Sequence, residues 1–209
     1  MSPHGMLFVL DRSLTRPFTP NICVTADPLI QPRTLIHPSY DAPPIMSMNK
    51  ITTCLWFDGQ AEDAANFYVS IFKNSQIKHI QRYTSAGEEQ HGRAPGSVMV
   101  VAFDLNGHPF VGLNGGPGFK FSAAVSFQID CANQEEVDHY WDKLREGGDE
   151  ARLQCGWLED KFGVSWQVVP TILKELLSSP EREKADRAMK AMMGMKKLDI
   201  AELQKAFDG

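Results

Sequence analysis

The sequence predicts an α+β protein made of two fused βαβββ modules followed by a C-terminal helical tail. Three observations carry this expectation. At an offset of 73 residues, Ala64, Phe67, Tyr68 and Ile71 have counterparts in Val137, Tyr140, Trp141 and Leu144. Both sets run i, i+3, i+4, i+7, the apolar stripe of a helix lying on a sheet. Each stripe is flanked by short runs rich in β-formers and bounded by turn residues. After Pro170 the apolar spacing becomes helical throughout.

The first module spans about residues 50–117. Ile51 to Phe57 reads as a strand, Gln60 to Phe72 as a helix, and Gln76 to Thr84, Ser97 to Leu105 and Phe110 to Leu113 as three further strands. Gly87 through Gly96 is a polar loop, and Asn106-Gly107 is a two-residue hairpin signal. The second module spans about residues 122–170. Ala123 to Ile129 reads as a strand, Gln134 to Glu146 as a helix, and Ala151 to Trp157 and Val164 to Val169 as strands, with a shorter strand around Leu158 to Phe162. Asn133 followed by Glu136 is a capping-box signature, and Gly147-Gly148 supplies a stop.

The tail, residues 171–209, predicts a helix over Thr171 to Leu177. A second helix opens at Ser179-Pro180 and closes at Gly194, and a third is capped by Asp199. Met189, Met192, Met193 and Met195 cluster there, a pattern that suits core or dimer packing. Residues 1–47 differ from the remainder: eight of the thirteen prolines lie there, with neither Lys nor Glu. Such a segment propagates neither helix nor central strand and reads as a disordered extension ahead of a domain over 48–170. An organellar presequence and a translation start at Met48 are the alternatives.

Composition excludes several classes of function. The formal charge of −5, with 21 basic residues, offers no broad footprint for phosphates, so no nucleic-acid partner is expected. No run of about 18 apolar residues exists, so no membrane span is expected. Cys23, Cys54, Cys131 and Cys155 form no CxxC and no zinc pattern; reduced thiols in a cytoplasmic setting fit them. The histidines are scattered without an H-x-x-x-H pair, and Glu62, Asp63, Glu135 and Glu136 suit the first turns of their helices.

Three ordered motifs support a resemblance. Cys54-Leu-Trp-Phe-Asp-Gly-Gln-Ala-Glu-Asp-Ala-Ala-Asn-Phe-Tyr68, the Leu113-Asn-Gly-Gly-Pro117 turn and Asp160-Lys-Phe-Gly-Val-Ser-Trp-Gln167 resemble the PhnB-like branch of the glyoxalase/bleomycin resistance/dioxygenase (vicinal oxygen chelate) superfamily. The resemblance implies that the two modules form a glyoxalase-like barrel. In metal-using relatives four strand residues, usually His and Glu, hold a metal inside that barrel with positions left open for substrate oxygens. The corresponding positions here fall at about Thr53, Gly112, Ala124 and Gln167, none of which is an imidazole or a carboxylate. No metal and no cofactor are therefore expected.

Members of the branch often carry the label 3-demethylubiquinone-9 3-methyltransferase. A methyltransferase of the common type needs a strand, a glycine-rich turn and a helix to cradle its cofactor. Gly115-Gly116-Pro117-Gly118 follows a strand but leads into another strand, so the sequence does not support that activity. The residues expected to bind a small molecule in the barrel are Thr53, Trp56, Phe110, Asn114, Ser126, Trp166 and Gln167, neutral polar groups framed by aromatic walls. Gln167 in particular is expected to face a cavity enclosed by both modules. The resulting expectation is a metal-free binding protein that dimerises. An enzyme of isomerase, lyase or dioxygenase type is the alternative.

Overall fold

The computed structural model describes residues 51–209. The reading of 1–47 as a disordered extension, and the boundary at Met48, lie outside the described residues. The first module runs β1 (Thr53–Phe57), α1 (Ala61–Ile71), β2 (Gln76–Arg82), a one-turn helix α2 (Glu88–His91), β3 (Val98–Leu105) and β4 (His108–Asn114). The second runs β5 (Phe127–Cys131), α3 (Gln134–Leu144), a short 3-10 turn (Glu150–Arg152), β6 (Trp157–Glu159) and β7 (Ser165–Pro170). Helices α4 (Thr171–Leu177), α5 (Arg182–Met193) and α6 (Ile200–Asp208) form the tail. Among the described residues no helix is long and apolar enough to cross a membrane.

The first sheet has the order β1-β4-β3-β2 and the second β5-β7-β6. In each, the first strand lies parallel to the last: Thr53 sits opposite Phe110, and Phe127 opposite Trp166. The duplication thus extends from helix stripe to sheet register. Asn106 and Gly107 both take positive φ, 47° and 79°, as a tight β3–β4 turn demands. Ala64, Tyr68 and Ile71 of α1 and their counterparts Val137, Trp141 and Leu144 of α3 are buried.

Strand alternation sorts the side chains into two faces. In the first sheet Leu55, Phe57, Val101, Phe103, Leu105 and Phe110 turn toward α1 and are buried. Cys54, Trp56, Val100, Ala102, Val111 and Leu113 occupy the opposite face and stay half-exposed or exposed. The helix-side residues of both sheets share one core, in which Tyr68 packs on Phe103 and Trp166, and Phe110 on Phe127. Each such side chain, removed from water, contributes about 1.5–3 kcal/mol. No strand of one sheet pairs with a strand of the other among the described residues.

A second cluster, Val169, Leu173, Leu176, Ala188, Leu198 and Leu203, docks the tail against the end of β7. Cys155 and Gly156 donate backbone hydrogen bonds to Met195 O (2.7 Å) and Lys196 O (2.8 Å). Position 156 requires glycine twice over. Its φ is +83°, and a Cβ would lie 2.8 Å from Val168 O and 3.0 Å from Leu198 Cδ1.

Four local expectations are corrected. Ala151 to Trp157 is no strand: the Asp149 carboxylate accepts from Ala151 N and starts the 3-10 turn. Cys155 and Gly156, both at positive φ, then fold Trp157 back onto Gln154. The second sheet consequently has three strands. Residues 123–126 precede β5 without joining it. Ser179 does not cap α5; its hydroxyl accepts from Glu181 N, a local turn, and the helix begins at Arg182. The segment from Gly87 through Gly96, expected to be a polar loop, contains α2. Asn133 and Asp199 cap α3 and α6 as expected, each accepting at 2.9 Å from the N–H three residues on.

Candidate functional site

Five aromatic rings floor a groove of about 630 Å³ between the two modules. Phe72 comes from the end of α1, Phe110 from β4, Phe127 from β5, Tyr140 from α3 and Trp166 from β7. Their centroids follow one another at 5.1 Å (Phe72–Tyr140), 5.4 Å (Phe72–Trp166), 5.3 Å (Phe127–Trp166) and 5.3 Å (Phe110–Phe127). Lys73, Asn74, Asn106 and His108 form one rim; Ser126, Gln128, Asp130 and Glu136 form the other. The groove is thus aromatic at its floor and lined by eight polar or charged residues around it.

Three of the seven residues expected at a site line this groove: Phe110, Ser126 and Trp166. Gln167 joins them through a 2.9 Å hydrogen bond from its Nε2 to Ser126 Oγ, and Thr53 through a 3.4 Å contact with His108 Nε2. Gln167 itself lies on the sheet face opposite Trp166, beside Gln128 of β5. Trp56 and Asn114 are elsewhere. Trp56 occupies the first sheet's open face, where Nε1 donates to Gly116 O at 2.7 Å and Phe119 meets the indole edge-on.

Asn114 is buried and fully engaged. Its Oδ1 accepts from Ala61 N at 2.9 Å, supplying the cap of α1, and its Nδ2 donates to Val98 O at 3.0 Å. The expectation of one cavity holding all seven therefore gives way to a division among the groove, the glycine turn and a helix cap. Phe72, Phe127, Tyr140 and His108 escaped the sequence reading. The stripe of α3 singled out Tyr140 as apolar, but no sequence signal aimed it at a neighbouring module.

The most heavily bonded charge in the domain is Asp160, 2% exposed. Its Oδ2 accepts from Tyr68 Oη and Trp166 Nε1, each at 2.8 Å, and its Oδ1 from Phe162 N at 2.9 Å and Val164 N at 3.0 Å. Burial pushes its pKa above the ordinary carboxylate value, and the donated hydrogen bonds pull the other way. Burial, and then the Asp160 charge, hold Tyr68 well above its usual range, so it remains a neutral phenol donor. This network ties α1 of the first module to β7 of the second and fixes the indole that floors the groove.

The residues do not fit a bound metal. At the positions where the resemblance implies ligands, Thr53 and Gly112 share the helix side of their sheet, Ala124 precedes β5, and Gln167 is a neutral amide. Among the described residues no three His, Cys, Asp or Glu side chains converge. Nor do they form a nucleotide cradle. Gly115-Gly116-Pro117-Gly118 leads to no helix, and a Cβ at Gly115 would lie 2.1 Å from Trp56 Cζ2, so the glycine makes room for the indole.

The chain is similar to known proteins. Residues 49–169 match the family model described as 3-demethylubiquinone-9 3-methyltransferase. The chain belongs to that family, the PhnB-like branch of the glyoxalase/bleomycin resistance/dioxygenase superfamily. Among solved structures, it is 38% identical to the PhnB protein of Bacillus cereus, which bears the same methyltransferase label, over 58% of this chain and 98% of that one (TM-score 0.51). A protein of Staphylococcus aureus is 29% identical over 58% of this chain and 96% of its own (TM-score 0.27). The protein PA1353 of Pseudomonas aeruginosa is 17% identical over 57% and 96% (TM-score 0.45). Comparison with the curated proteins gives no match.

Proposed function

We propose that this protein binds a small molecule without a metal, and that the ligand sits in the groove between the modules. The observation that carries this reading is the run of five rings along one groove, with Ser126, Asn74, Asn106 and His108 at its rim. The exposed parts of these tilted rings would supply affinity, and the polar groups around them orientation. Other depressions offer less. Those of about 390, 320 and 260 Å³ are smaller, although the second is lined by Trp56, Phe57, Phe119, Phe121 and Phe162; one of about 710 Å³ lies on the tail and has no aromatic lining.

The test is a thermal-shift screen of small molecules on the native protein and on Ser126→Trp, whose added ring would fill the groove. Compounds that stabilise the native protein and leave the variant unmoved support the reading. Equal shifts in both would place binding elsewhere.

We further propose that the protein acts as a homodimer. The open face of the first sheet presents Cys54, exposed, and Val100, Ala102, Val111 and Leu113, half-buried. A contiguous apolar face of this kind marks an association surface. Sedimentation velocity at micromolar concentration should give a dimer, and Val111→Lys a monomer. A native monomer would refute the proposal.

A further inference from the structure

We infer that the groove takes a planar aromatic anion, such as an aromatic carboxylate or sulfonate, with its rings along the floor and its charge against Lys73. This rests on the reading of the groove as a binding site and goes on to name the ligand's chemistry. Four charged side chains bear on the groove: Lys73, Asp130 and Glu136 at its rim, and Lys174 bound to Asp130.

Three of the four are already committed. Both Asp130 oxygens accept from Lys174 Nζ at 2.9 Å, and this ion pair holds the Asp130 carboxyl below its ordinary pKa. Glu136 Oε2 accepts from Ala132 N at 2.9 Å, and Glu136 lies in the first turn of α3, at the positive end of the helix dipole. Lys73 has no carboxylate partner within ion-pair distance among the described residues. Of the four, Lys73 is the one whose side chain has no hydrogen-bond or ion-pair partner among the described residues, and it stands beside Asn74 and Asn106, whose side chains add amide donors. His108 stands on that rim against Thr53 Oγ1 and over the edge of Phe110 at 5.0 Å.

Geometry sets the body of the ligand. The five floor rings follow one another without a gap, and the groove volume of about 630 Å³ accommodates a fused or linked pair of rings. An uncharged ligand would gain nothing from Lys73, which is exposed and solvated by water. A cation would meet that ammonium and would find Asp130 already paired with Lys174.

Two dyes with one skeleton separate these cases. 8-Anilinonaphthalene-1-sulfonate carries an anionic group; N-phenyl-1-naphthylamine is the same ring system without it. Fluorescence titration at low salt should give the sulfonate at least about fivefold tighter binding, the scale of one partly solvated ion pair. Lys73→Gln should bring the two affinities together by weakening the sulfonate alone, and Ser126→Trp should abolish both. Equal affinities in the native protein, or a ratio unchanged by Lys73→Gln, would overturn the inference about charge while leaving the groove as a site. Undiminished binding of both dyes to Ser126→Trp would overturn the groove itself.

Discussion

Asparagine at position 160 is nearly isosteric with aspartate but cannot satisfy the four donors that converge there. Its carbonyl oxygen can accept from Phe162 N and Val164 N, which leaves the amide NH₂ facing Tyr68 Oη and Trp166 Nε1. The phenol can rotate and accept. The indole N–H only donates, so it is left buried and unsatisfied at a cost of about 1–3 kcal/mol. Asp160→Asn should therefore lower Tm by about 4–8 °C if the cost is near 2 kcal/mol in a domain of this size.

Trp166→Phe removes the stranded donor. In that background Asp160→Asn should cost less than about 1 kcal/mol, a coupling measurable by urea unfolding followed by far-UV circular dichroism. Equal costs in both backgrounds would refute the account.

The same substitution has a pH signature. Burial raises the Asp160 pKa in the folded protein, so the native state holds this proton more tightly than the unfolded chain. Stability from this group is then complete below the unfolded value, about 3.9, and is lost as pH rises through the native value. Asparagine does not titrate. The deficit of Asp160→Asn against the native protein should widen as pH is lowered from about 7 to about 4. A deficit that narrows would mean that the four donors outweigh burial.

Other outcomes follow from single contacts. Gly115→Ala should destabilise by about 1–3 kcal/mol, because the added Cβ overlaps the Trp56 indole; unchanged urea unfolding would show that the indole moves freely. Burial, with help from Glu136 and Asp130, pushes the Cys131 thiol up to about 12, and the residue is wholly inaccessible. Thiol titration should therefore detect it only on unfolding, and Cys131→Ser should leave native-state reactivity unchanged. Elemental analysis of purified protein should find well under one equivalent of zinc, iron, nickel or manganese; a full equivalent would contradict the absence of a converging donor set.

Much of the fold was legible because it is periodic or punctuated. The stripes of α1 and α3, the Asn106-Gly107 turn and the Asn133 and Asp199 caps each rest on residues within one helix or turn. Ala151 to Trp157 was misread because its β-forming residues are overruled by turn chemistry at Asp149 and at Cys155-Gly156. The site was harder to read, since its residues come from five elements whose contacts are set by how the modules pack. Asn114 illustrates the limit: a polar residue at the end of a strand reads as a pocket group, yet both ends of its amide are spent on Ala61 N and Val98 O.

The duplication also explains why the groove has two unlike ends. Thr53 and Phe110 form the first row of one sheet, and Phe127 and Trp166 form the first row of the other. Each row joins a residue of a module's first strand to one of its last, and the rows meet where Phe110 packs on Phe127. In the second module both partners are aromatic, and Trp166 is fixed by Asp160. In the first, the partner of Phe110 is Thr53, which contacts His108. A symmetric pair of modules would have produced a groove equally apolar along its length. The difference at this one row places aromatic surface at the Trp166 end and hydrogen-bonding capacity at the His108 end, which under the proposed reading would give a ligand one preferred direction.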